Sequence, residues 1–279
     1  MCGTDDETTF YGTWKTFQDV TGYFENAPPS PSRRYNMDDY PGPYKRYEDA
    51  HQRVSLPEKA FTEIKTPLVE AVARRRSKRN FLPDPLSLDR LAFLLWATQG
   101  ITAQLANHAL RAVPSAGALY PVETYLAVRA VDGLEAGIWH LDVERWALEQ
   151  IRQGDVASEA CRAAGDQVMV ELAAVNFFWT AVLERTCCKY YERGFRYVYE
   201  DIGHVSHALQ LASAAFRDVG CAVIGSFLDD RSASLLGVDR AVEPVIMIGS
   251  VGKVGGEDFL EDRRVYLDKL QKHREGKGD

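Results

Sequence analysis

The chain has 279 residues, 46% of them hydrophobic and 26% charged, with a formal net charge of −7. A chain this long buries roughly three quarters of its unfolded surface without staples, and no apolar run nears the roughly 20 residues of a membrane helix. The negative balance, broken by a single short basic run, argues against nucleic acid as a general partner.

Cys2, Cys161, Cys187, Cys188 and Cys221 are odd in number and contain no C-x-x-C pair. Neither a disulfide framework nor a zinc knuckle is expected, and no metal site. The acidic start, Met1 to Glu7, has no apolar leader, which reads as a cytoplasmic chain with no membrane partner.

Residues 1–60 lack helical or strand periodicity and carry Pro28-Pro-Ser-Pro31 and the tyrosine-rich Tyr40 to Tyr47. They read as an arm docked on a body formed by residues 61–279, with a disordered tail as the competing reading. From Pro67 a helical pattern runs through Leu68, Val69 and Val72 into Arg74-Arg-Arg-Ser-Lys-Arg79, with Pro83 and Pro85 closing the element. Taken alone, the basic run is a helix C-terminus complementing the macrodipole; Arg75, Ser77 and Arg79 also supply the forks and hydroxyl of a phosphate clamp. Ser87 caps a helix with Leu88, Leu91, Leu94 and Leu95 in register, ending at Gly100.

Val113-Pro-Ser-Ala-Gly-Ala-Leu-Tyr-Pro121 sets small residues between prolines before the strand-like Glu123 to Val128. Either it is an ordinary turn, or its backbone N–H groups approach a flat ligand. It lacks the glycine of a hydrolase elbow, so Ser115 is not read as a nucleophile. A hairpin follows at 137–151, helix at 155–174, and a β-favouring run at 176–183.

Arg185 to His204 then crowds arginines, Lys189 and five aromatic residues between Tyr190 and Tyr199. That mixture suits neither a solvated charge run nor a plain core. Ile202, Val205, Leu209, Ala212, Phe216 and Val219 recur at helical spacing, with small residues on the other sides and Gly220 as a stop, which predicts a central buried helix. His204 and His207, one turn apart, read as core histidines because no third metal ligand stands at a telling spacing. Cys221 to Phe227 and Pro244 to Ile248 read as buried strands, Asp229 to Leu236 as a short helix, and the tail from Asp258 as weakly helical. No G-x-G-x-x-G or P-loop occurs.

The motifs at 75–79, 86–102, 114–121, 189–197, 203–204 and 224–227 together resemble the nitroreductase superfamily, and within it the SagB-type thiazoline/oxazoline dehydrogenases. The resemblance covers about residues 40–255. It implies an α+β fold, a mainly antiparallel sheet packed by helices around a central buried helix, in a homodimer with FMN at the subunit interface. By the same resemblance Arg75, Ser77 and Arg79 contact the phosphate and ribityl chain, joined by Arg263 or Arg264. Pro114, Ser115, Ala116 and Gly117 flank the flavin ring from one side, and Ile224, Gly225 and Ser226 from the other.

The resemblance makes Lys189 and Tyr190 the catalytic pair for oxidising a peptide- or carrier-bound azoline to an azole, with dioxygen reoxidising the flavin. Forming the azole removes a hydride and a proton. Lys189 is the expected base, since like charge from Arg185, Arg193 and Arg196 favours its neutral amine. Tyr190 either orients the ring, relays the proton or packs. His207-Ala208 and Cys187-Cys188 depart from the family pattern, which touches flavin or partner contacts and the substrate. The competing readings are an NAD(P)H-dependent reductase of nitro compounds, quinones or enones, and a non-catalytic scaffold.

Overall fold

The computed structural model describes residues 7–22, 40–57, 64–105, 109–255 and 259–275. Among them seven strands form one sheet in the order β1-β6-β5-β4-β7-β9-β8, every neighbouring pair antiparallel. These are β1 (Gln52–Ser55), β4 (Val122–Val128), β5 (Gly137–Asp142), β6 (Ala147–Gln153), β7 (Val175–Ala181), β8 (Val219–Ile224) and β9 (Val245–Lys253). A separate pair, β2 (Ile101–Gln104) and β3 (Ala109–Arg111), had no forecast in the sequence.

Central β4 and β7 are buried along their whole length, so both faces of each must meet a core. Alternation divides their side chains. Leu126, Phe177 and Trp179 meet α3 (Leu88–Gln99) and α7 (Gly194–Ser213) through Leu91, Leu94, Leu95, Ile202, Val205 and Leu209. Tyr125, Ala127 and Phe178 face the opposite layer, built from α4 (Ala157–Ala163), α5 (Val168–Leu172) and α8 (Asp229–Leu236). Ser87 caps α3 by accepting from the Arg90 N–H, as its position before the leucine stripe predicts.

Several elements differ from the sequence reading. The helix after Pro67 is only α2 (Leu68–Arg74): at Arg75 the backbone turns extended, and residues 77–81 run along the sheet edge. Ser77 bridges Cys221 in parallel, Lys78 N–H donates to the Cys221 carbonyl at 3.0 Å, and Phe81 bridges Val254. The run is held by β8, not by helix propensity. Residues 155–174 split into α4 and α5 because Gly165 and Asp166 both take left-handed backbone, at φ +68° and +61°.

The central helix starts earlier and stops sooner than its apolar register suggests: Val219 opens β8 instead of closing α7. Its outer face, with Tyr199, Gly203, His204 and His207, is exposed, so neither histidine is a core residue. Before α2, the described segments hold α1 (Glu7–Thr21) and β1, where no periodicity was legible. Pro28 to Pro31 lie outside the described residues. Near the end, α9 (Phe259–Glu275) lies against α5, with Tyr266 buried in the second core.

Candidate active site

The site is assembled by α6 (Leu183–Tyr190), which leaves β7 and turns into α7. Its anchor is Arg185, buried to 2%, which pairs with Glu123 at 2.6 Å and donates to the Gly42 and Tyr120 carbonyls at 2.7 and 3.1 Å. Glu123 also meets His140 Nε2 at 2.9 Å. Burial alone would raise the Glu123 carboxyl, but the Arg185 charge and the His140 hydrogen bond outweigh it and hold the group at about 2. Burial would lower the His140 imidazole, but its hydrogen bonds to Glu123 and Glu149 outweigh that and raise it above its ordinary value. One ion cluster thus joins α6, β4, β5 and the segment around Gly42.

At the other end of α6, Lys189 and Tyr190 come up against Gly117. A Cβ built on Gly117 would lie 2.6 Å from Tyr190 Oη and 3.0 Å from Lys189 Nζ. The amine lies 5.3 Å from the Tyr190 ring centroid, and that ring meets Tyr197 edge-on at 4.9 Å. Gly194 permits the tight return into α7, since a Cβ there would stand 2.9 Å from Cys187 Sγ. Burial pushes the Cys187 thiol up to about 11, which removes it as a nucleophile at neutral pH.

The 114–121 loop is strained and held from behind. Gly117, Ala118 and Tyr120 have φ of +64°, +55° and +47°, and the two non-glycines each cost about 1–3 kcal/mol. Ser115 Oγ donates to Asp201 Oδ2 at 2.5 Å and accepts from the Tyr120 N–H at 2.9 Å; the Ala116 N–H donates to Asp201 Oδ1 at 3.1 Å. Asp201 was not among the expected site residues. A legible signal existed: it is a carboxylate inside the Val198, Ile202, Val205 stripe of α7, where solvent does not pair it. Burial raises its carboxyl despite the bonds from Ser115 and Ala116.

The expected arginine crowd around Lys189 is spent elsewhere. Arg185 serves Glu123, Arg193 donates to the Thr21 carbonyl, and Arg196 donates to Thr21 Oγ1 and to Gln18. Two of these arginines therefore cap the C-terminus of α1, and Lys189 itself is exposed.

The basic run forms a second group. Arg75 donates to Gln210 Oε1 at 3.0 Å, and Arg79 to the Ser77 carbonyl at 3.3 Å. In extended backbone Arg75, Ser77 and Arg79 share one side and Arg76 and Lys78 the other. A cleft of about 260 Å³ beside the run is lined by Arg76 and Lys78, with Arg74, Gln210 and Ser213, so the expected clamp residues are not the ones bordering it. Ile224 ends β8 roughly 10 Å beyond Cys221. Gly225 and Ser226 are exposed, and nothing lies within 4 Å of where a Gly225 Cβ would stand. Arg263 and Arg264 are exposed on α9; the described bond from α9 to the run is Lys269 Nζ to Asn80 Oδ1 at 2.6 Å.

Within one chain the two groups are held by different stretches of α7. Asp201, which holds the loop, and Gln210, which holds Arg75, are nine residues apart on α7. That is about 13 Å along the axis and roughly 180° around it.

An antiparallel sheet between helical layers, with a small-residue loop against a Lys-Tyr pair, defines the class: an α+β nitroreductase-like fold. The profile of the nitroreductase family matches residues 72–253, and the chain belongs to that family. MJ1384 of Methanocaldococcus jannaschii, named as a candidate nitroreductase, is 34% identical over 66% of this chain and 88% of its own length. The trifolitoxin-processing protein TfxB of Rhizobium leguminosarum bv. trifolii is 29% identical over 58% of this chain, which spans only 46% of TfxB. A crystal structure of a candidate nitroreductase from Anabaena variabilis superposes with a TM-score of 0.69 at 25% identity, over 85% of this chain and 45% of that one.

Proposed function

We propose that the protein is an FMN-dependent azoline dehydrogenase, oxidising a thiazoline or oxazoline on a peptide or carrier protein to the aromatic azole. The observation that carries this reading is the meeting of Lys189 Nζ and Tyr190 Oη at the Gly117 backbone. A hydride shuttle between nicotinamide and flavin needs no dedicated base; aromatising an azoline does. The similarity to TfxB, a protein named for processing trifolitoxin, points the same way.

The donor set fits FMN. Two guanidinium forks and a hydroxyl at Arg75, Ser77 and Arg79 suit a phosphate dianion, and Gly225 borders open space where a flat ring can approach the backbone. When bound, FMN would supply a hydride acceptor for the azoline and a route for the electrons to dioxygen. Lys189 takes the ring proton on Nζ. Tyr190, braced by Tyr197, orients the heterocycle, and Ser115 and Ala116, braced by Asp201, fix the loop beside it.

Because the loop and the clamp hang from opposite faces of α7, a complete site takes the loop from one copy and the clamp from another. Exposed Leu68, Val69 and Val72 on α2, with Tyr199 on α7, offer apolar surface for that homodimer. The second reading, an NAD(P)H-dependent reductase, draws on the 34% identity to MJ1384. Lys189→Ala separates the two: azole formation falls at least about a hundredfold for a dehydrogenase, in the range of lost general-base catalysis. An unchanged rate of azole formation in that variant would remove Lys189 as the base.

A further inference from the structure

On the far side of the sheet from α3 and α7, three potential ligands converge from three helices. Cys161 Sγ of α4, a Glu171 carboxylate oxygen of α5 and a ring nitrogen of His273 on α9 all lie within 4.8 Å of one another. Cys161 is a buried, reduced cysteine, and His273 Nε2 is a buried nitrogen without a hydrogen-bond partner. The Ser158 hydroxyl donates to Glu171 Oε1 at 2.8 Å and orients the carboxylate from behind.

We propose that Cys161, Glu171 and His273 bind one divalent cation of the zinc type, which fastens the C-terminal helix to the body. One sulfur, one imidazole nitrogen and one carboxylate oxygen is a borderline-soft donor set that suits zinc over calcium or magnesium. Zinc bonds of about 2.0–2.3 Å set tetrahedral ligand atoms roughly 3.3–3.8 Å apart, so the cluster closes by about 1 Å on binding. The Cys161 thiol loses its proton to solvent, and thiolate plus carboxylate neutralise the cation. A fourth position is left for water.

The helix is oriented for this. Tyr266, Lys269 and His273 fall at i, i+3 and i+7 on one face of α9, and the first two already face the body: Tyr266 is buried in the second core, and Lys269 bonds Asn80 beside Arg79. The cation adds a third fixed point one turn further on. This assignment is independent of the flavin reading. The sequence concealed it because His273 lies about a hundred residues beyond Cys161 and Glu171, and the three match no spacing motif.

The test uses the full-length protein, stripped with chelator and re-equilibrated with zinc, its bound metal measured by plasma mass spectrometry. One equivalent per chain is expected, with affinity at least about tenfold weaker in Cys161→Ser and in His273→Ala. His273→Ala changes a partly exposed residue and leaves the core intact, so its loss of zinc does not reflect unfolding. A cobalt-minus-apo difference spectrum should carry a thiolate charge-transfer band that Cys161→Ser abolishes. Uptake well below one equivalent, or full uptake in both variants, would overturn the site.

Discussion

Gly117 is the residue on which the proposed active site turns. Its positive φ is one that L side chains rarely adopt, and its missing Cβ leaves room for Tyr190 Oη and Lys189 Nζ. Gly117→Ala therefore costs about 1 kcal/mol in backbone strain and drives apart the two groups the chemistry needs together. We expect azole formation to drop at least tenfold while far-UV circular dichroism stays unchanged; a fully active variant would mean the pair does not work at this loop. Asp201→Ala removes the acceptor for both Ser115 Oγ and the Ala116 N–H. It should cost about 1–3 kcal/mol in urea unfolding and lower turnover, whereas Asp201→Asn, which keeps one carbonyl oxygen for Ala116, should recover part of both. At this scale the resemblance names Lys189, Tyr190, Ser115 and Gly117, and the fold brings them to one loop and the end of α6. Asp201 is marked in the sequence only as a carboxylate within an apolar stripe; its role exists only once α7 packs behind the loop.

Among the elements, α6 shows how tertiary pairing overrides a local reading. From sequence, Arg185, Arg193 and Arg196 looked like company for Lys189. In the fold Arg185 points back into the sheet to Glu123, and the other two reach α1. Arg185→Ala leaves Glu123 buried and without its guanidinium partner, a loss of about 3–5 kcal/mol, checked by urea denaturation. Arg185→Met with Glu123→Leu should lose less than the sum of the single changes. The helices α3 and α7 and the strands β4 and β7 were legible because apolar periodicity and burial coincide there. Segment 75–81 was not, because its extended form comes from pairing with β8, nearly 150 residues away in sequence. For β1 the reason is similar: its residues match no strand pattern, and β6 supplies the partner that makes one.

For the molecule as a whole, the buried ion cluster makes stability depend on pH. Glu123, depressed to about 2, contributes stability that is present above its ordinary value of 4.5 and is lost as pH falls toward 2. His140, raised above 6.5, contributes stability that is present below that value and is lost as pH rises through its folded one. Together they favour the fold most between about pH 4.5 and 6.5. In Glu123→Gln the urea midpoint should change less steeply between pH 4.5 and 2.5 than in the parent; parallel slopes would contradict the assignment.

A dehydrogenase would load its flavin with electrons from the azoline, a reductase from nicotinamide. Under anaerobic conditions the FMN-loaded protein is mixed with a thiazoline-containing peptide and, separately, with NADPH, and the flavin absorbance is followed. A dehydrogenase built on Lys189 and Tyr190 bleaches with the thiazoline, yields thiazole and responds little to NADPH. Rapid bleaching by NADPH with the thiazoline left intact would contradict the account and make the protein a reductase.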